Sequence, residues 1–122
     1  MEEFKLGTVE QHFADLVWQN EPMPIKQLIG LCESELHWKR TTTYTVLKKL
    51  CKKGLFRYEN GIVTALLSKE EFFAVQSEQF VCSHFNGSLP AFIAAFTARK
   101  SLTAAEVEEI RDLIDAIGES QS

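Results

Sequence analysis

Arg40-Thr41-Thr42-Thr43-Tyr44-Thr45-Val46-Leu47-Lys48-Lys49-Leu50-Cys51-Lys52-Lys53-Gly54 runs straight into Leu55-Phe56-Arg57-Tyr58-Glu59-Asn60-Gly61-Ile62-Val63-Thr64-Ala65-Leu66, and the pattern changes period at Gly54. Before the glycine, Thr43, Val46, Leu47 and Leu50 recur at helical spacing and leave an outer face of Thr and Lys. Gly54 is a natural residue just past a helix end. After it, residues 55–59 and 62–66 read as two strands joined by Asn60-Gly61, the strongest two-residue hairpin signal. The stretch predicts a helix over about 40–53 followed by a β-hairpin.

Two more helices precede it. Thr8-Val9-Glu10-Gln11 has the form of a capping box, with Thr8 as cap and Gln11 reaching back. Val9, Phe13, Leu16 and Val17 then supply an apolar face, and Asn20-Glu21-Pro22 ends it. Pro24 suits the first turn of a second helix, on which Ile25, Leu28, Ile29 and Cys32 form the buried side. Three short helices and a hairpin make a winged helix-turn-helix domain over residues 1–67, mainly α with a small β-hairpin. In that architecture the third helix, residues 39–53, enters the major groove of DNA.

Charge points to the same helix. Between Leu36 and Tyr58 stand seven cationic side chains and no acidic one, in a chain whose net charge is −4. Folding does not ask for such a block, since like charges at helical spacing repel. A polyanion does, because each phosphate contacted by Lys or Arg releases condensed counterions. The bland alternative is a solvated surface helix.

In a helix-turn-helix the N-terminal half of the third helix touches base edges, which nominates Arg40, Thr41, Thr42 and Thr45. Threonine can bond a base and rest its methyl on that of thymine. Two roles stay open for Arg40, bidentate to a guanine or seated on a phosphate. Lys39, Lys48, Lys49 and Lys52 are cast as phosphate contacts, which position without reading sequence. Tyr44 has two roles open as well: donor to a phosphate, or a partly buried ring between helices. Arg57 and Asn60 complete the candidate DNA-binding set from the wing.

Residues 68–122 read as helical again, the mainly α remainder of the chain. Ser68-x-x-Glu71 opens a fourth helix bearing Phe72, Phe73, Phe80 and Phe85, which breaks at Asn86-Gly87. Ser88 can cap a fifth with Phe92, Ile93 and Phe96. Thr103-x-x-Glu106 opens a last helix to about Ile117, with Val107, Ile110, Ile114 and Ile117 in a seam. Six of the nine phenylalanines follow residue 71, more aromatic surface than three such helices bury alone. The expectation is a homodimer arm using Phe80, Phe85, Phe92, Phe96, Val107, Ile110, Ile114 and Ile117. The alternative folds these helices back on the N-terminal core.

Other classes fall away. The chain of 122 residues is 45% hydrophobic and 25% charged, a globular composition. No apolar run nears the roughly 20 residues of a membrane span, and Met1-Glu2-Glu3-Phe4-Lys5 lacks signal-peptide form. No membrane and a cytoplasmic location are expected. Cys32, Cys51 and Cys82 are expected to pack as small apolar residues. There is no Gly-rich phosphate loop, no His-Glu-x-x-His and no nucleophile–base pair, so no enzyme and no cofactor are expected. His37 with Cys32, or Cys82 with His84, falls short of the three or four ligands a metal site needs, so none is assigned. A protein–protein adaptor on the same fold is the remaining alternative, although an adaptor has no reason to hold seven cations there.

The chain resembles the penicillinase-repressor (BlaI/MecI/CopY-type) winged-helix transcriptional regulators. Leu6, Glu10 and Trp18 match the family's opening segment. The run from Trp38-Lys39-Arg40-Thr41-Thr42-Thr43 through Leu47-Lys48-Lys49-Leu50-Cys51-Lys52-Lys53-Gly54-Leu55 is similar to its recognition region. Phe85-Asn86-Gly87-Ser88 and Leu102-Thr103-Ala104-Ala105-Glu106-Val107-Glu108-Glu109-Ile110-Arg111 resemble its later segments. The resemblance implies a dimeric repressor of double-stranded DNA that binds a palindromic operator. It departs in two places: the short turn Asn60-Gly61-Ile62 lacks the family's Arg after the glycine, and Gly118-Glu119-Ser120-Gln121-Ser122 carries none of the cysteines of the copper-responsive branch's metal tail. In the antibiotic-responsive branch a sensor-triggered protease cuts an Asn-Phe bond, which aligns with Ala95-Phe96 here. With Asn replaced by a strong helix former, relief of repression by that cut is not expected, and any sensor or protease partner is unassigned.

Overall fold

Apolar spacing and local caps set the first three helices of the computed structural model, which describes residues 5–121. Helix α1 (Thr8–Asn20) buries Phe13, Ala14, Leu16 and Val17. Helix α2 (Ile25–Leu36) buries Ile25, Leu28 and Cys32, and α3 (Arg40–Lys52) buries Thr43, Leu47 and Leu50. Ile29 and Val46, expected inside, are half-buried at the edges of those faces. Lys39 and Lys53, expected at the ends of the third helix, are its N-cap and C-cap. Gly54 follows at φ +89°, a left-handed conformation that a Cβ would strain.

The cap of α1 differs from expectation. Gly7, not Thr8, is the N-cap, and Glu10, not Gln11, reaches back, its Oε1 accepting from the Gly7 N–H at 3.2 Å. The later caps form as the sequence indicates. Glu71 and Ser68 bond reciprocally at 2.9 and 3.0 Å, and Glu106 and Thr103 at 2.9 and 3.1 Å. Those backbone and hydroxyl donors hold both carboxyls below the usual carboxylate range.

The hairpin is β2 (Phe56–Glu59) and β3 (Ile62–Ala65), turned by Asn60 and Gly61 at φ +54° and +76°. A two-residue strand not expected from the sequence, β1 (Met23–Pro24), adds to its free edge. The sheet is antiparallel in the order β1-β3-β2, with Met23 opposite Val63 and Tyr58 opposite Val63 from the other side. Pro24 is therefore an edge-strand residue and the N-cap of α2, not a first-turn residue. The Ile25 N–H also donates to the Gly61 carbonyl at 2.9 Å, which fastens the wing's turn to the start of α2.

Aromatic rings fill the space between these elements. Phe13 stacks on Trp38 at 5.6 Å, and Trp18 meets Phe56 at 5.6 Å and Phe72 at 5.5 Å. The Trp18 indole N–H donates to the Leu67 carbonyl at 3.0 Å, fixing where the chain leaves the wing. Phe56 is fully buried, so truncation to Ala would cost about 3–5 kcal/mol. Cys32 lies in this core and Cys51 is half-buried, and burial pushes both thiols up. Cys82 is exposed, contrary to the packed role expected of it.

The remaining helices are α4 (Lys69–Phe85), α5 (Leu89–Arg99) and α6 (Ala104–Gln121). The last runs four residues past the expected end. Asn86 and Gly87 adopt φ +51° and +78° between α4 and α5, and Ser88 Oγ caps α5 by accepting from the Ala91 N–H at 3.1 Å. The chain divides into two compact units, Met1–Phe80 and Val81–Ser122, with α4 crossing from one to the other. Among the described residues no helix is long and apolar enough to cross a membrane. The Met1–Phe4 stretch, on which the signal-peptide expectation rests, lies outside the described residues, as does Ser122.

Candidate nucleic-acid interface

The turn that presents α3 is three residues long, His37-Trp38-Lys39, a length suited to a helix-turn-helix. His37 takes the left-handed conformation at φ +57°, and the Trp38 N–H closes back on the Cys32 carbonyl at 3.2 Å. This six-to-one closure ends α2 in the manner of a Schellman motif without a glycine. The sequence carries no glycine signal for it, though His is among the residues that tolerate positive φ best.

At roughly 100° per residue, Leu50 sits opposite a stripe formed by Thr41, Thr45, Lys48 and Lys52. All four stripe residues are exposed, and Leu50 is buried. Arg40 and Tyr44 form the flank on the wing side. Thr42 and Lys49 form the flank on the α1 side. The Thr45 hydroxyl donates to the Thr41 carbonyl at 2.9 Å, leaving its oxygen as an acceptor.

The two flanks are tethered. Lys49 Nζ donates to Glu10 Oε2 at 2.6 Å, so the carboxylate that caps α1 also holds α3. That lysine, then the Gly7 N–H, keep the Glu10 carboxyl below its usual range. On the other flank the Arg40 guanidinium lies 5.7 Å from the Tyr44 ring centroid, within cation–π range. Tyr44 packs on Tyr58 of β2 at 6.2 Å. Of the two roles left open for Tyr44, the half-buried one comes closer, but its neighbour is the wing and not another helix. Lys48 and Lys52 enter no ion pair among the described residues.

Charge placement along α3 separates folding from function. Lys49 and Lys52 lie in its last turn, where cations favour the helix dipole. Lys39 and Arg40 lie at its N-terminus, where the dipole disfavours them, and the first turn holds no acid to compensate. Cations at a helix N-terminus, beside backbone N–H groups that lack helical partners, draw a polyanion toward that end at the expense of stability. On the wing, Arg57 is exposed but paired with Glu59 at 3.4 Å, and Asn60 is exposed at the turn. The cationic face is therefore α3 itself, and the wing is nearly neutral.

The expected dimer residues lie as follows. Phe80 on α4 and Phe96 on α5 are about half-exposed, while Phe85 and Phe92 are half-buried with rings 5.6 Å apart. On α6, Val107 and Ile110 are half-buried, and Ile114 and Ile117 are 56% and 47% exposed. Leu113, which the four-residue seam omits, is 61% exposed beside them. Among the described residues no three His, Cys, Asp or Glu side chains group to hold a metal ion.

A family of proteins described as penicillinase repressors matches residues 6–116. The chain is similar to the methicillin resistance regulatory protein MecI of Staphylococcus aureus, at 20% identity over 92% of this chain and 94% of the relative. It is likewise similar to the penicillinase repressor of Bacillus licheniformis, at 21% identity over 91% and 90%. The MecI of Mammaliicoccus sciuri matches at 19%, over 92% and 94%. Three helices, a wing and a match over nearly the whole chain place the protein in the penicillinase repressor family.

Proposed function

We propose that this member of a transcriptional repressor family acts as a homodimer that inserts α3 into the major groove of a palindromic operator. The observation that carries this is the exposed cationic α3, with Lys39 and Arg40 placed against the dipole at its N-terminus. Thr41, Thr45 and Arg40 read base edges, with Thr42 at the margin. Lys39, Lys48 and Lys52 hold phosphates, and Lys49 joins them only by giving up Glu10. Arg57, already paired with Glu59, and Asn60 contribute less. Residues 1–67 form the DNA-binding module and residues 68–122 the dimerisation region, through the exposed apolar faces of α5 and α6.

Symmetry supports the dimer. Two-fold interfaces are the commonest between identical chains, and a palindrome calls for one. Fluorescence anisotropy on labelled duplex DNA tests the proposal. If roughly six phosphates are neutralised per dimer, raising salt from about 50 to about 200 mM should weaken binding about a thousandfold. An affinity indifferent to salt would point to the protein–protein adaptor instead.

A further inference from the structure

The aromatic contact between the wing and α3 gives the wing a task that its charge does not. Phe56 and Tyr58 lie two apart on β2 and so share a sheet face, and their partners Ala65 and Val63 belong to the same face. Phe56 and Val63 are fully buried, so this face turns toward the helices. Tyr58 stands at its outer end, 41% exposed, where its ring meets Tyr44 at 54°. Tyr44 in turn lies one helical turn after Arg40 and carries the guanidinium over its ring. Wing, helix and cation form a chain of three side chains: Tyr58, Tyr44, Arg40.

We propose that Tyr58 is a positioning residue for sequence reading, fixing the Tyr44 ring from the wing and thereby the reach of the Arg40 guanidinium into the groove. An arginine at the start of a helix otherwise samples many rotamers, and each one lost on binding weakens the contact. Holding the guanidinium against an aromatic face removes part of that cost before DNA arrives. The short wing, whose Arg57 is spent on Glu59, then acts on DNA through α3. The phenols register the same contact. Arg40 first and Tyr58 second lower the Tyr44 phenol, while Tyr44 raises that of Tyr58.

This inference rests on the DNA-binding proposal, so one arm of its test uses no DNA. Tyr44 and Tyr58 are the chain's two tyrosines, so tyrosinate absorbance near 295 nm on the full chain reports them alone. Two separated steps are expected. Tyr58→Phe should leave one step, moved up from the first step of the unsubstituted protein, and Arg40→Ala should also raise that first step. Two overlapping ordinary steps, unmoved by either substitution, would overturn the inference.

The second arm is a double-mutant cycle on DNA selected by the unsubstituted protein, with melting curves to confirm folding. Tyr58→Ala should relax discrimination at the base pair that Arg40→Ala relaxes, by roughly three- to thirtyfold. The double substitution should cost no more than Arg40→Ala alone. Additive losses, or a Tyr58→Ala effect equal on selected and random DNA, would overturn the inference while leaving the repressor proposal standing. A chain that titrates as expected and selects no DNA would overturn both.

Discussion

Thr41 and Lys48 face the same way on α3, two turns apart, and differ only in what they can recognise. A hydroxyl with a methyl reads a base edge, and an ammonium on a four-carbon stem finds phosphate whatever the sequence. Thr41→Ala should therefore cost about 1–3 kcal/mol of discrimination at one base pair and change binding to random DNA little. Lys48→Ala should weaken operator and random DNA alike and lower the salt slope by about one. Comparing both variants on both DNAs checks the roles, and equal losses in all four pairings would cancel the assignment. The sequence made these residues legible because burial on a helix follows its period: Leu47 and Leu50 inward leave Thr41, Thr45, Lys48 and Lys52 outward. It could not show which cations are already engaged. Helix period puts Lys48 on the stripe and the chemically identical Lys49 on a flank, but that Lys49 is engaged shows only in the position of Glu10, thirty-nine residues earlier.

Between elements, that pair joins the start of α1 to α3, beside the bond from Lys53 Nζ to the Lys5 carbonyl at 3.3 Å. Glu10 is held ionised by Lys49 and the Gly7 N–H, so its folded carboxyl titrates below its unfolded value. Its stabilisation is full above the unfolded value and fades as pH falls through the depressed one. Glu10→Gln should cost less than about 1 kcal/mol at neutral pH, because Lys49 is more than half exposed, and the difference should close as pH falls through the depressed folded value. The same substitution frees Lys49, so DNA binding should tighten severalfold, with a salt slope steeper by about one. Glu10→Gln combined with Lys49→Ala should show no such gain; a gain that survives would reflect general charge instead.

The long periodic elements were readable, and so were the caps at Ser68, Ser88 and Thr103, but the cap of α1 was not. Gly7 and Thr8 both allow a helix start, and the choice turns on whether the Glu10 carboxylate or the Gln11 amide reaches back, a matter of one residue. Strand β1 is two residues long and contains a proline, so it has no pattern of its own. It exists because β3 offers it an edge.

For the molecule as a whole, a net acidic chain places six of its thirteen cations on one helix and its caps, with no acid among them, and leaves apolar faces on α5 and α6. The acidic remainder repels DNA, so the binding proposed here would rest on α3 and on two copies acting together. Ile114 is 56% exposed in one chain, so Ile114→Asp should leave the chain folded and place a charge in the proposed interface between copies. Sedimentation should show monomers, with DNA affinity falling in step. An unaltered dimer would move the interface elsewhere. The seam on α6 was legible as a spacing, but spacing does not say what covers it, and Leu113 beside it escaped the pattern.

Selection of bound sites from random duplex DNA, sequenced after several rounds, tests the central claim most directly. The account predicts one enriched site with two-fold symmetry, its half-sites spaced by about 10 base pairs or a multiple, lost when Arg40 and Thr41 are replaced by Ala. No enrichment over the starting pool, or an enriched site that survives the loss of Arg40 and Thr41, would contradict it.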